Sequence, residues 1–147
     1  MTRSGLSWAA RTRQYRFARD VLINCGDAWV FCGFKPASLP PRSGLLRASH
    51  IKPWAIAEPR ERVDACNGVA TCPLHDAAFD EGHITVLSDL RIVRSPALDR
   101  AIAADDPRQR LYFQEALPKR LILPPSAKQP SPAYLDYHRD NILVGDT

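Results

Sequence analysis

The stretch Arg47-Ala48-Ser49-His50-Ile51-Lys52-Pro53-Trp54, followed by Asn67-Gly68 and then by Cys72-Pro73-Leu74-His75-Asp76-Ala77-Ala78-Phe79-Asp80-Glu81-Gly82, decides the reading of this chain. It sets His50, Asn67 and His75 in order, with sixteen residues between the first two and seven between the second two. Residues 45–51 read as an extended segment that Pro53 ends, so His50 is expected near a strand's end. Residues 54–65 hold Pro59 and the charges Glu58, Arg60, Glu61, Arg62 and Asp64, a polar loop long enough to return the chain antiparallel. Asn67-Gly68 is turn chemistry and leads into a second strand over 69–72. Pro73 suits a first helical turn, Leu74, Ala77 and Ala78 repeat at helical spacing, and Gly82 supplies a C-terminal stop.

Outward from this core, residues 8–23 form a predicted amphipathic helix, with Arg13, Arg16 and Arg19 on one arc and Phe17, Ala18, Val21 and Leu22 on the other. Residues 24–27 are a turn, 29–32 a short apolar strand bounded by Gly33, and 35–44, with Pro36, Pro40 and Pro41, a loop. On the C-terminal side, 84–87 and 90–93 alternate well enough for a hairpin turning at Ser88-Asp89. Residues 96–114 are helical in part, the proline-rich 117–132 irregular, and 132–143 a last helix carrying Tyr134, Leu135, His138 and Ile142 at helical intervals. The predicted class is α+β in a single domain over 1–147: an N-terminal basic helix (1–24), the strand–strand–helix core with its extra hairpin (28–95), and a helical and irregular extension (96–147). No internal repeat is present.

At 147 residues and 45% hydrophobic content the chain is long and apolar enough to bury one core. Twenty basic residues against sixteen acidic give a net charge of +4, which suits an anionic partner without demanding one. Its distribution says more: Arg3, Arg11, Arg13, Arg16 and Arg19 all precede the first acid, Asp20, so the opening helix can present a phosphate-contacting face. No run approaches the roughly 18 apolar residues that span a bilayer, and no apolar stretch follows Met1-Thr2-Arg3, so a soluble, cytoplasmic protein is expected. Cys25, Cys32, Cys66 and Cys72 are spaced C-x6-C and C-x5-C rather than as C-x2-C knuckles. Free, partly buried thiols are the first reading, with a four-cysteine structural zinc or disulfides as alternatives.

Hydrolysing a phosphodiester takes a base to deprotonate water and a divalent cation to neutralise charge on the phosphorane and the departing oxygen. An imidazole with its ordinary pKa near 6.5 is largely neutral at physiological pH, which makes His50 the candidate base. The Asn67 amide could take the other ring N–H of His50, or bridge loop backbone, and orient the base either way. His75 could offer a ring nitrogen to a metal, Asp80 an oxygen five positions later, and Asp76 a second carboxylate one turn before Asp80. Lys52 is placed to meet a nucleic-acid backbone and Trp54 to anchor the loop by packing, with Arg62 and Asp64 pairing across it.

These motifs resemble the HNH endonuclease family and its ββα-metal fold, in the branch that reads S-H-I-K-P-W (Ser49–Trp54), E-R-x-D-x-x-N-G (Glu61–Gly68) and L-H-D-x-x-F-D-x-G-x-I (Leu74–Ile84). The ending Tyr134-Leu135-Asp136-Tyr137-His138-Arg139-Asp140-Asn141-Ile142 is similar to that branch as well. The resemblance implies a divalent-metal-dependent DNA endonuclease with His50 as general base, Asn67 orienting it and His75 at the metal, leaving 5′-phosphate and 3′-hydroxyl ends. It implies Mg²⁺ or Mn²⁺, with Zn²⁺ or Ni²⁺ as alternatives, and a restriction-type role. Two departures stand out: Ser49 occupies the place before the base where many members carry an Asp or His metal ligand, and Trp29 aligns where the branch often places a cysteine. A non-catalytic DNA-binding module and a nuclease toxin are the alternatives. Symmetric cutting of both strands would favour a homodimer.

Overall fold

A computed structural model of the protein describes residues 8–36, 45–104 and 106–145, so the proline-rich loop expected over 37–44 lies outside the described residues. Helix α1 (Trp8–Asn24) buries Phe17 and Val21 and leaves Arg13, Arg16 and Arg19 exposed, as its two arcs require. Strand β1 (Arg47–His50) pairs antiparallel with β2 (Gly68–Thr71) in the register Arg47↔Thr71, Ala48↔Ala70, Ser49↔Val69 and His50↔Gly68. Successive side chains on a strand point to opposite faces, which gives this short hairpin two distinct surfaces. His50 and Gly68 turn toward α1, where the Phe17 ring stacks on the His50 imidazole. Arg47 and Ser49 turn toward helix α3, where both reach Asp76.

Helix α3 (Pro73–Asp80) begins at Cys72, whose Sγ accepts the His75 backbone N–H at 3.4 Å, and has Pro73 at its first position. Its buried residues are His75, Ala78 and Phe79, an i, i+3, i+4 stripe. The expected apolar stripe of Leu74, Ala77 and Ala78 is therefore out of phase by about one residue, and Leu74 and Ala77 are exposed. Gly82 ends the helix with φ +79, and a Cβ there would collide with the Ile142 carbonyl.

Three further expectations are corrected. Residues 29–32 do not form a strand: Gly33, at φ +75, closes a tight turn in which its N–H bonds Trp29 O at 2.6 Å. The Val30 N–H to Ala70 O bond docks that segment beside β2, and Ile122 N–H bonds Val30 O from outside the sheet. The polar loop contains helix α2 (Pro59–Arg62), nucleated by a reciprocal cap between Glu58 and Glu61, and a 3₁₀ turn at Ala65–Asn67 capped by Asp64. Gly68 is a strand residue rather than a turn residue; the absent side chain makes room for α1, since a Cβ would lie 2.6 Å from Phe17 Cζ.

The second hairpin, β3 (Ile84–Val86) with β4 (Ile92–Arg94), is antiparallel and turns through Leu90 at φ +71. Helices α4 (Pro96–Ala103) and α5 (Pro107–Arg110) and a π-helical turn (Leu111–Glu115) follow. Helix α6 (Pro132–Asn141) docks through His138, which is 1% exposed: its Nε2–H donates to Phe79 O at 2.8 Å, its Nδ1 accepts from Thr85 Oγ1 at 2.8 Å, and its ring stacks on Phe79. Among the described residues no helix is long and apolar enough to cross a membrane.

Candidate active site on the first hairpin

His50 closes β1, opposite Gly68, with its ring centroid 3.7 Å from that of Phe17 and the planes 4° apart. Its Nε2 lies 3.0 Å from the Arg62 carbonyl oxygen, which can only accept, so Nε2 carries the proton and Nδ1 keeps its lone pair. Burial lowers the His50 pKa and the nearby Arg62 charge adds to this, while the Arg62 carbonyl bond works in the other direction. The result is a neutral imidazole of fixed tautomer with a basic nitrogen left for chemistry.

Asn67, fully buried, does not take the ring N–H of His50; that place belongs to Arg62 O. It bridges loop backbone instead: Oδ1 accepts Lys52 N–H at 2.8 Å, and Nδ2 donates to Lys52 O and Glu61 O at 3.2 and 3.1 Å. Together with the Ile51 N–H to Asn67 O bond, these contacts tie the exit of β1 to α2, and through α2 they set the position of the Arg62 carbonyl. The expected Arg62–Asp64 pair is absent among the described residues: Arg62 Nε donates to Trp54 O and its guanidinium lies 4.0 Å over the Trp54 ring, while Asp64 accepts from Tyr134 Oη at 2.8 Å. Lys52 is held by Glu61 at 2.8 Å.

The opposite face of the hairpin carries carboxylates. Asp76 hydrogen-bonds the buried Ser49 and lies 4.0 Å from Arg47. Burial raises the Asp76 pKa, with the charges of Asp80 and Cys72 adding to the rise and Ser49 and Arg47 opposing it. Asp80, one turn on, is exposed. His75 has different surroundings from these two. It is 3% exposed, its Nε2–H donates to Tyr112 O at 3.0 Å, its Nδ1 lies 3.3 Å from Cys72 Sγ, and it packs edge-on to Phe31 and Phe113. Burial alone would push His75 down, but the Cys72 sulfur and the Tyr112 carbonyl outweigh it and leave the pKa raised. A bond from the Cys32 thiol, together with His75, lowers the Cys72 pKa against the effect of burial. The four cysteines are free thiols.

His50 and His75 thus share no partner, whereas Ser49 hydrogen-bonds Asp76 and the charge of Asp80 acts on the same carboxylate. The roles of Arg62 O and Phe17 were not visible in sequence, since one is a backbone atom and the other sits on a distant helix. The helix phase that favours Asp76 was open to reading from the His75, Ala78, Phe79 spacing.

Residues 29–87 match a family described as HNH endonuclease. No curated protein matches the chain in sequence. Among solved structures the chain is similar to a modification dependent TagI restriction endonuclease, with 15% identity and a TM-score of 0.54 over 86% of this chain. It covers 37% of that enzyme's chain, and at this identity the likeness is one of fold. The β1–β2 hairpin, the α3 helix across it, and His50, Asn67 and His75 all fall within the matched residues, so this segment of the chain is similar to the HNH endonuclease family.

Proposed function

We propose that this protein is a nuclease, a divalent-metal-dependent DNA endonuclease of restriction type, with His50 as general base. The observation that carries the reading is the Nε2–H bond from His50 to Arg62 O, which leaves Nδ1 as the acceptor for a proton from attacking water. The water oxygen bonds to phosphorus as its proton passes to Nδ1, the bond from phosphorus to the 3′-oxygen breaks, and that oxygen takes a proton from solvent water, leaving 5′-phosphate and 3′-hydroxyl ends. Phe17 shields one face of the imidazole, and Asn67 acts as a positioning residue through the backbone around Arg62.

Asp76 and Asp80, with the Ser49 hydroxyl, are proposed to hold the cation in place of His75, whose ring nitrogens are occupied inside the core. Among the described residues no three His, Cys, Asp or Glu side chains converge as a closed cage. Two carboxylates and a hydroxyl fit Mg²⁺ or Mn²⁺ better than Zn²⁺ or Ni²⁺. Magnesium keeps several waters and binds through one or two carboxylates plus substrate phosphates, whereas structural zinc takes four protein ligands. The bound ion would supply charge neutralisation at the phosphate. Ser49 and His50 are consecutive, with Cα atoms about 3.8 Å apart, so a phosphate seated over the end of β1 comes within reach of both faces.

Supercoiled DNA incubated across a panel of divalent ions tests this directly. Nicking with Mg²⁺ or Mn²⁺, none with EDTA, and a loss of about 10²–10⁴-fold in His50→Ala are expected. A His50→Ala variant that cuts as fast as the parent removes the base assignment. DNA retarded but uncut under every ion would favour the non-catalytic binding module.

A further inference from the structure

Between α1 and the loop leading to α2 lies a cavity of about 60 Å³ lined by Arg13, Gln14, Trp54, Pro59 and Arg62. No acid lines it. Arg13 is exposed and makes no ion pair among the described residues, in contrast to Arg19, which is held by Asp20 at 3.3 Å. Arg62 has no carboxylate partner among the described residues either; its guanidinium lies 4.0 Å over the Trp54 ring and its Nε donates to Trp54 O. Two guanidinium groups around a cavity without a counter-charge form an anion site, and the planar fork of Arg matches phosphate geometry. At roughly 10–15 Å³ of such space per water, the cavity has room for about four waters or one phosphate group, and too little for a nucleobase.

Its location ties it to the chemistry. The Arg62 whose side chain lines the cavity is the residue whose carbonyl orients His50. Arg13 stands one helical turn before Phe17, the ring stacked on His50. We infer that this cavity is a phosphate-binding subsite, with Arg13 and Arg62 gripping a phosphodiester next to the one cleaved. The inference rests on the endonuclease reading above and adds a specific anchor to it: occupancy of the subsite would hold the strand in register on the base.

The test separates the two readings. Duplex binding is measured in EDTA, which removes the divalent ion that the proposed cutting requires, by fluorescence anisotropy at several salt concentrations, for the parent, Arg13→Gln and, as a control on a remote exposed arginine held by Asp89, Arg91→Gln. Thermal unfolding of each variant establishes that the fold is intact. Arg13→Gln is expected to weaken binding about 5–10-fold and to lower the log–log salt slope by about one, as loss of one phosphate contact does, while Arg91→Gln stays near the parent. Titrating the parent with inorganic phosphate should perturb Trp54 fluorescence, and Arg13→Gln should blunt that response. Equal losses in the two arginine variants, or none in either, overturn the subsite. DNA that is bound with Arg13 dependence but never cut would leave the subsite standing and remove the nuclease mechanism. Cutting with no Arg13 dependence of binding would do the reverse.

Discussion

The two faces of the β1–β2 hairpin are one residue apart in sequence and opposite in chemistry. On the α1 face an imidazole is dehydrated under Phe17 and kept neutral; on the α3 face Asp76 is half-buried beside a second acid, and its pKa rises through burial and Asp80. In the proposed mechanism one face accepts a proton and the other attracts a cation. A two-residue period divides the work, so that Ser49 and His50, consecutive in the chain, serve different surfaces. The lesson is that a residue next to the base is not automatically beside it in space.

The comparison breaks most readily at the carboxylates. Asp76→Asn should cut the rate by at least about 10²-fold, since a cation at the phosphate is worth several kcal/mol, and should weaken Mg²⁺ binding seen by calorimetry. His75→Ala should leave that binding isotherm in place and cost about 1–3 kcal/mol of stability instead, by removing a buried ring together with its bond to the Tyr112 carbonyl. The opposite pattern, with metal affinity lost in His75→Ala alone, would return the ligand role to His75.

Next in size is a pH effect away from the hairpin. His138 is buried with its pKa lowered to about 4, because burial disfavours the charged ring more than the Phe79 carbonyl supports it. The unfolded chain, with a histidine pKa near 6.5, binds more protons below that pH. The stability from keeping His138 neutral is therefore complete above about pH 6.5 and is lost as pH falls toward 4, on the order of 3 kcal/mol. Denaturant unfolding from pH 7.5 to 4 measures it. A His138→Ala variant should show a flatter profile over that window, and parallel profiles would count against the assignment.

The smallest effect sharpens the α1 face. Gly68→Ala places a methyl against Phe17 and Val21, so overpacking should cost about 1–3 kcal/mol, and the displaced Phe17 should lower activity while metal affinity is retained. Unchanged melting and unchanged cleavage would show that α1 sits looser on the hairpin than described.

Much of the fold was legible because local signals agreed with the packing. The arcs of α1, the proline and glycine bounding α3, and the alternation of β3 with β4 each follow from residues that decide their own neighbourhood. The segment 29–32 misled because its apolar run is real but Gly33 turns the chain back before a ladder forms. In the candidate site, the motif singles out His50, yet the group its Nε2–H meets is a carbonyl twelve residues away whose direction depends on Asn67 and α2. His75 and Asp76 were harder to separate: adjacent on a helix, they differ by about 100° of phase, and the buried stripe through Ala78 and Phe79 decides which faces the hairpin.

The crossing of the chain over Gly82 carries one more consequence. Val144 N–H bonds the Gly82 carbonyl at 2.9 Å while Ile142 fills the space a side chain would need, so α3 meets a fixed stop just past Asp80. Its length is imposed from outside by a segment sixty residues downstream. Lengthening α3 by one turn at that end would displace the tail before it extended the row of carboxylates, so new acidic groups there would have to come from substitution within the existing turns.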